Sequence, residues 1–214
     1  MKNLTLILDI DDVSRNLREQ IIAFAFVHYH GQMDDFKYFY QNKKCRDFMD
    51  WFKDYDEYYH LFENAKWNTP LFHMINTELK DINLFFLSTN KHEKAKEVTK
   101  KQLMEHFNHL DSFKKNKDNS IIFIDSAKDK VNHVLNNVGQ GAKFGSDSST
   151  IFFVDDRLDT VKSFAEKGLM AFWYTEWITP EEQEDYMKLY GEYDYRGNFK
   201  ILSKMLFLWK NKII

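Results

Sequence analysis

Leu4-Thr5-Leu6-Ile7-Leu8-Asp9-Ile10-Asp11-Asp12-Val13 is the stretch that decides the fold. Its first five residues are apolar or β-branched, which is typical of a strand buried on both faces of a parallel sheet. The run then ends in three carboxylates within four positions. Because an unpaired buried carboxylate is costly, this ending predicts a cation or another partner at the end of the strand.

Asp9 and Asp11 are two positions apart, so in an extended chain their side chains point the same way. Carboxylate oxygens are ligands that Mg²⁺ prefers in proteins. Ligands of open α/β sheets bind at the carboxyl ends of the strands. The sequence therefore predicts a magnesium site at the end of the first strand.

A second stretch, Ile151-Phe152-Phe153-Val154-Asp155-Asp156-Arg157, has the same form. If its strand lies beside the first, Asp9, Asp11 and Asp155 meet at one edge of the sheet. For either stretch alone, an Asp that caps the following helix is the alternative. Two such runs, about 140 residues apart in a chain of alternating strand and helix patterns, favour a shared site.

Two further strand ends carry polar residues. The apolar run 84–87 ends at Ser88 and Thr89, whose hydroxyls, with free backbone N–H groups before a helix, can hold an anion. A simple helix cap is the alternative. A third strand, 120–124, is followed by a helix with Lys128 and Lys130 in its first turn, where a lysine reaches back over the strand ends toward a phosphate.

These stretches resemble the motifs of the haloacid dehalogenase (HAD) superfamily. Residues 9–13 look like its first motif, 84–88 like its second and Asp155-Asp156 like its fourth. The third motif is a lone lysine, which either Lys130 or Lys128 supplies, and Lys130 better matches the family's spacing. Within the superfamily, the Asp-Asp-Val, Leu-Ser-Thr and Asp-Asp-Arg sequences look most like the 5'(3')-deoxyribonucleotidase group.

The resemblance implies an α/β fold, a Rossmannoid three-layer sandwich with a mostly parallel central sheet. It also implies a helical cap inserted after the first strand, with residues 14–76 as the cap and residues 1–13 and 77–214 as the core. The implied activity is Mg²⁺-dependent hydrolysis of phosphomonoesters, with Asp9 as the nucleophile and Asp11 as the general acid and base. The implied metal ligands are Asp9, Asp11 through its backbone carbonyl, Asp155 and Asp156. The implied phosphate-binding residues are Ser88, Thr89 and Lys130.

The composition excludes several classes of protein. The single cysteine, Cys45, excludes a disulfide framework, and it lies among basic residues with no nearby histidine pattern that would make it a nucleophile. A net charge of −3 provides no basic field, so a nucleic-acid partner is not expected. Asp9 interrupts the N-terminal apolar run too early for a signal peptide or a membrane span, so we expect a cytoplasmic protein without a membrane partner.

Residues 34–64 are dense in aromatic and charged side chains, and their spacing predicts two or three short amphipathic helices of the cap. Flat side chains over the site would stack on a nucleobase, although they also suit the cap's own small core. We therefore expect a small phosphate ester as substrate, a nucleotide above all. The alternatives are a phosphatase of nucleic-acid ends or of another small ester, and a non-catalytic binding protein that kept the fold. Occupied catalytic positions argue against the last.

Overall fold

A six-stranded parallel sheet forms the centre of the computed structural model. The structure describes residues 4–28, 59–90, 92–111, 113, 119–138, 144 and 147–211. The strands of this sheet are β1 (Thr5–Leu8), β4 (Asn83–Thr89), β5 (Ile121–Ile124), β6 (Ile151–Asp155), β7 (Met170–Tyr174) and β8 (Arg196–Gly197).

The strand order is β5-β4-β1-β6-β7-β8, and each neighbouring pair is parallel. The chain therefore builds β4 and β5 on one side of β1 and then crosses to the other side for β6, β7 and β8. Leu8 is in register with Phe86 of β4 and with Val154 of β6. The residues that follow β1 thus lie at a point where the strand order reverses, which is where open α/β sheets bind ligands.

Helices cover both faces of the sheet, because each central strand is apolar on both sides. Leu6 and Leu8 pack into the core on one face and Ile7 into the core on the other, as the alternation of a strand requires. The first face is covered by α3 (Thr69–Thr77), α4 (Glu93–Phe107) and α8 (Phe199–Lys210). The second is covered by α5 (Asp129–Leu135), α6 (Leu158–Glu166) and α7 (Pro180–Tyr190). The predicted three-layer α/β fold is confirmed.

Local signals explain where two of these helices begin. Thr179 accepts a hydrogen bond from the Glu182 backbone while the Glu182 side chain accepts one from the Thr179 backbone, which completes a capping box before α7. Asn68 caps α3 by accepting a hydrogen bond from the Leu71 backbone N–H on its side chain, with Pro70 in the first turn. No helix in the described part of the chain is long and apolar enough to cross a membrane.

The segment between β1 and β4 forms a smaller unit. Its two ends pair as a short antiparallel ribbon, β2 (Arg15–Asn16) with β3 (Lys66–Trp67), and from this ribbon extend α1 (Leu17–His28) and α2 (Tyr59–Asn64). These helices share a small apolar core with α4. The predicted cap helices over 34–58, and Cys45, lie outside the described residues.

The division into core and cap stays a prediction. The packing of α3 indicates where the boundary between them lies. Leu71 and Met74 of this helix belong to the same apolar core as Leu6 and Leu8 of the central strand. Helix α3 therefore covers the sheet, which favours a boundary after Trp67 over the expected one after residue 76.

Candidate active site

Three carboxylates meet where the two central strands end. Asp9 follows β1 and Asp155 ends β6, and the Asp9 backbone N–H donates to the Val154 carbonyl at 2.8 Å, which holds the two strand ends together. One carboxylate oxygen from each of Asp9, Asp155 and Asp156 lies within 4.8 Å of the others, and all three side chains are buried. Of the three acids that the sequence places together, Asp9 and Asp155 therefore meet, and Asp156 joins them.

Lys130 places its ammonium between two of these acids. Its Nζ lies 2.8 Å from Asp9 Oδ1 and 2.6 Å from Asp155 Oδ2, and the side chain is only 1% exposed. The lysine comes from the first turn of α5, which packs on the face of the sheet toward which Asp9 and Asp155 point. Lys128 is exposed. Of the two lysines that the sequence left open, Lys130 is the one at the acids.

The charges of the cluster shift its pKa values. Burial raises the pKa of Asp9 to about 7, with Asp155 and Asp11 adding to the rise and Lys130 opposing it. Burial and the neighbouring Asp155 raise the pKa of Asp156 well above its ordinary value. Burial alone would lower the pKa of Lys130, but the two carboxylates outweigh it and raise it. One lysine against three buried acids leaves a site that favours a further cation.

Hydrogen bonds fix the carboxylates in place. Asp155 Oδ1 accepts from the Arg157 backbone N–H at 2.9 Å while Oδ2 accepts from Lys130. Trp173 Nε1 donates to the Asp156 carbonyl at 2.8 Å, and Ser14 Oγ donates to the Asp9 carbonyl at 2.7 Å. The backbone beneath each acid is therefore held from the core, so little reorganisation is needed when a ligand binds.

Asp11 lies beside the cluster rather than in it. Its side chain forms an ion pair with Arg15, with Arg15 Nε 2.8 Å from Asp11 Oδ1. The expectation that the Asp11 carboxylate meets Asp9 and Asp155 is therefore wrong, because β1 ends at Leu8 and the chain turns before Asp11. A metal contact through the Asp11 backbone carbonyl stays a prediction. The next residue, Asp12, has a φ of 58°, a left-handed conformation that turns the chain sharply, and its side chain accepts from the Arg18 backbone.

Sequence reasoning missed Arg15. The available signal was the pair of opposite charges four positions apart, which is informative on a helix. Here the two residues flank a turn, so the helical rule does not apply to them.

Ser88 and Thr89 end β4, the neighbour of β1, and are in register with Phe123 and Ile124 of β5. Ser88 is buried and Thr89 is half-buried. Alternation along the strand places Thr89 on the side of Lys130 and Ser88 on the opposite side. No hydrogen bond within the described ranges joins either hydroxyl to the acids. Both residues therefore lie at the predicted edge of the sheet, and their contact with a phosphate stays a prediction.

The comparisons with known proteins bear on the fold. No family model matches the sequence, and no curated protein matches it. A solved structure from Burkholderia xenovorans LB400, provisionally assigned as a haloacid dehalogenase-like hydrolase, aligns over 98% of this chain and 99% of its own, with 8% identity and a TM-score of 0.59. A provisionally assigned phosphatase from Clostridium difficile aligns over 96% and 99%, with 15% identity and a TM-score of 0.55.

The chain has the HAD-like fold. A third HAD-like structure, YfnB of Bacillus subtilis, is bound to magnesium and aligns over 89% of this chain and 100% of its own, with 13% identity and a TM-score of 0.50. At these identities the likeness concerns the fold alone.

The donor set of the site fits Mg²⁺. Asp9, Asp155 and Asp156 supply only carboxylate oxygens, the hard ligands of this ion, and no histidine or cysteine among the described residues joins them. Their spacing allows all three to contact one ion.

Proposed function

We propose that this protein is a Mg²⁺-dependent phosphomonoester hydrolase that works through an aspartyl-phosphate on Asp9. The observation that carries the proposal is a buried lysine held between two of three converging carboxylates, at the switch point of a HAD-like sheet. A lysine and an acid cluster at a ligand-binding edge suit a phosphate dianion and a divalent cation together. The solved structures of similar fold include proteins assigned as hydrolases and phosphatases.

In the first half of the reaction, an Asp9 carboxylate oxygen attacks the phosphorus in line with the leaving oxygen. The new bond from Asp9 to phosphorus forms as the bond from phosphorus to the leaving oxygen breaks. Asp11 donates a proton to that oxygen, so the product leaves as a neutral alcohol. A covalent intermediate divides one difficult hydrolysis into two easier displacements.

In the second half, a water molecule attacks the phosphorus of the aspartyl-phosphate. Asp11, now a carboxylate, takes a proton from this water as the bond from Asp9 to phosphorus breaks. Inorganic phosphate leaves, and Asp9 and Asp11 return to their starting states.

The remaining residues bind and neutralise charge. Lys130 donates one N–H to Asp155 Oδ2 and its ammonium lies 2.8 Å from Asp9 Oδ1, so it retains N–H groups for a phosphoryl oxygen. Ser88 and Thr89 are assigned to the other phosphoryl oxygens from the end of β4. When bound by Asp9, Asp11, Asp155 and Asp156, Mg²⁺ supplies positive charge that offsets the repulsion between the nucleophile and the phosphate.

The finer part of the proposal concerns the substrate, a small phosphomonoester and most specifically a nucleoside monophosphate, as in a 5'-nucleotidase. The insertion begins directly after the nucleophile, where it can close over a small molecule, and residues 34–64 are rich in flat side chains. The net charge of −3 disfavours a polyanionic substrate, since polymers are held largely through phosphate contacts.

Measurements of kcat/KM with and without Mg²⁺ test both parts of the proposal. The panel comprises the 5'-monophosphates of deoxyuridine, thymidine and uridine, a sugar phosphate and a 5'-phosphorylated oligonucleotide. We expect Mg²⁺-dependent turnover with a nucleotide as the best substrate. A sugar phosphate that exceeds every nucleotide would remove the nucleotide assignment, and a preference for the oligonucleotide would remove the small-substrate assignment. Mg²⁺ binding without turnover of any ester would favour the non-catalytic alternative.

A further inference from the structure

Arg15 is a buried cation that the proposed reaction does not use directly. It is among the largest fully buried side chains of the described residues, at 1% exposure. A buried guanidinium needs a partner to offset its lost hydration. That partner is Asp11, the residue assigned to proton transfer, whose side chain is 20% exposed.

The guanidinium of Arg15 is held on several sides. It lies over the ring of Phe62 at 4.8 Å and over the ring of Trp67 at 5.3 Å. Its Nη1 donates to the Phe62 carbonyl at 3.4 Å. Both aromatic residues belong to the insertion, so its short ribbon and helix α2 form the slot in which the guanidinium lies. A planar cation that contacts two rings and a carbonyl has little freedom to rotate, which makes it a rigid support.

The backbone between the two residues is fixed as well. The Arg15 N–H donates to the Ile10 carbonyl at 3.0 Å, and the Asp12 N–H donates to the Arg15 carbonyl at 2.7 Å. Arg15 is also paired with Trp67 across the ribbon. These backbone contacts hold the turn from Asp11 to Arg15 in one conformation. The Arg15 side chain therefore reaches Asp11 from a fixed position.

The ion pair engages one oxygen of Asp11 and leaves the other without a hydrogen bond among the described residues. Arg15 Nε is bonded to Oδ1, and within the described ranges no hydrogen bond reaches Oδ2. The carboxylate that is assigned to proton transfer thus has one anchored oxygen, and its side chain is exposed enough for a leaving group or a water to reach it.

We propose that Arg15 is a positioning residue that orients Asp11 for proton transfer, an inference that rests on the proposed function. We assign Arg15 no contact with the substrate, because its guanidinium is engaged by Asp11 and by the rings of Phe62 and Trp67. Without its anchor, the Asp11 carboxylate would rotate among several positions and be aligned with the leaving oxygen for only part of the time. Because general acid catalysis depends on this alignment, the loss falls on esters whose leaving group needs a proton.

A matched pair of esters separates this role from a structural one. 4-Nitrophenyl phosphate releases a stabilised phenolate and needs little protonation, whereas 4-nitrobenzyl phosphate releases an alkoxide and needs a proton. We expect Arg15→Met to lower kcat/KM for the benzyl ester at least about tenfold more than for the phenyl ester. Asp11→Asn should show the same selectivity. In the Asp11→Asn background, Arg15→Met should cause no additional selective loss, since it acts through Asp11.

Arg18→Met is the control. Arg18 is another buried arginine at the base of the insertion, but its partner is Glu182. Its loss should lower the rates of both esters by the same factor. If Arg15→Met does not fold, Arg15→Lys, which keeps a cation on a flexible stem, gives the same comparison.

Equal losses on the two esters, or a full additional loss in the Asp11→Asn background, would overturn the role of Arg15. This result is distinct from a failure of the proposed function. Full activity of Asp9→Asn would overturn the proposed function and this inference with it. Selectivity in Asp11→Asn without selectivity in Arg15→Met would overturn the inference alone.

Discussion

The Lys130 ammonium lies 2.8 Å from the Asp9 carboxylate, and both side chains are buried at the carboxyl edge of the sheet. This contact partly neutralises the carboxylate of the proposed nucleophile. The lysine is also placed to meet the charge that develops on a phosphoryl group. The strength of such interactions depends on the dry surroundings that the two residues share.

Lys130 and Lys128 form a matched pair for a first test. Lys130→Met removes the cation at the nucleophile, so we expect kcat/KM for 4-nitrophenyl phosphate to fall by about 100-fold or more. Lys128→Met alters an exposed residue of the same helix start, and we expect its stability to change by less than about 0.5 kcal/mol with unchanged activity. Steady-state kinetics with Mg²⁺ check both variants. If Lys128→Met lost activity while Lys130→Met kept it, Lys128 would be the phosphate-binding lysine.

Asp155 and Asp159 allow a test of the metal site. Asp155→Asn keeps the shape of a buried ligand but removes its charge, so the Mg²⁺ concentration for half-maximal activity should rise by about tenfold or more. Asp159 lies in the next helix, where its carboxylate pairs with Arg157 at 2.7 Å. Asp159→Asn should leave the Mg²⁺ concentration for half-maximal activity unchanged. Chelation with EDTA should abolish turnover and added Mg²⁺ should restore it. Activity that resists EDTA would contradict the metal site.

The raised pKa of Asp9 predicts a pH dependence of the metal-free protein. Because burial raises the pKa from its ordinary value of 3.8 to about 7, the folded state binds this proton more tightly than the unfolded chain. The contribution of Asp9 to stability is therefore complete below pH of about 4 and is lost as the pH rises through about 7. Between these values the free energy of unfolding of the wild type should fall relative to Asp9→Asn by a few kcal/mol, on the order expected from such a shift.

Chemical denaturation in the presence of EDTA, at several pH values, measures this difference. Addition of Mg²⁺ should flatten the dependence, because the metal and the proton compete for the same carboxylate. A difference between wild type and Asp9→Asn that does not change with pH would mean that Asp9 is ionised throughout this range.

Substitution of Glu182 tests the stability of the fold and not the catalytic site. Glu182 is buried, pairs with buried Arg18 and completes the capping box of α7. Glu182→Ala removes both interactions, so we expect the free energy of unfolding to fall by about 3 kcal/mol. Glu184→Ala changes an exposed residue of the same helix and should stay within about 0.5 kcal/mol. If urea denaturation gave the same change in the free energy of unfolding for Glu182→Ala and Glu184→Ala, the ion pair and the capping box would not contribute to stability.

The sequence predicted the central sheet because burial on both faces produces continuous apolar runs, and those before Asp9 and Asp155 are of this kind. The start of α7 is also determined locally, since Thr179 supplies its cap and Pro180 lies in its first turn. The sequence missed the two-residue strand β8 and the ribbon of β2 with β3. A two-residue strand is too short for any periodicity, and its pairing is determined by the elements around it.

The positions of site residues that directly follow a strand could be predicted from the sequence. The positions that depend on the geometry of a turn or on the orientation of a helix could not. Asp9, Asp155 and Asp156 follow or end their strands, so parallel pairing brings them together. Lys128 and Lys130 have the same chemistry, and only the orientation of α5 distinguishes them. The pairing of Arg15 with Asp11 depends on a left-handed residue between them, which no sequence pattern indicated.

The central claim is that Asp9 is the nucleophile of a phosphomonoesterase. Asp9→Asn keeps the shape of the side chain and removes its nucleophilic oxygen, so kcat/KM for 4-nitrophenyl phosphate with saturating Mg²⁺ tests it most directly. We expect the variant to keep the far-UV circular dichroism of the wild type and to lose turnover almost completely. A folded variant with activity within about tenfold of the wild type would contradict the account.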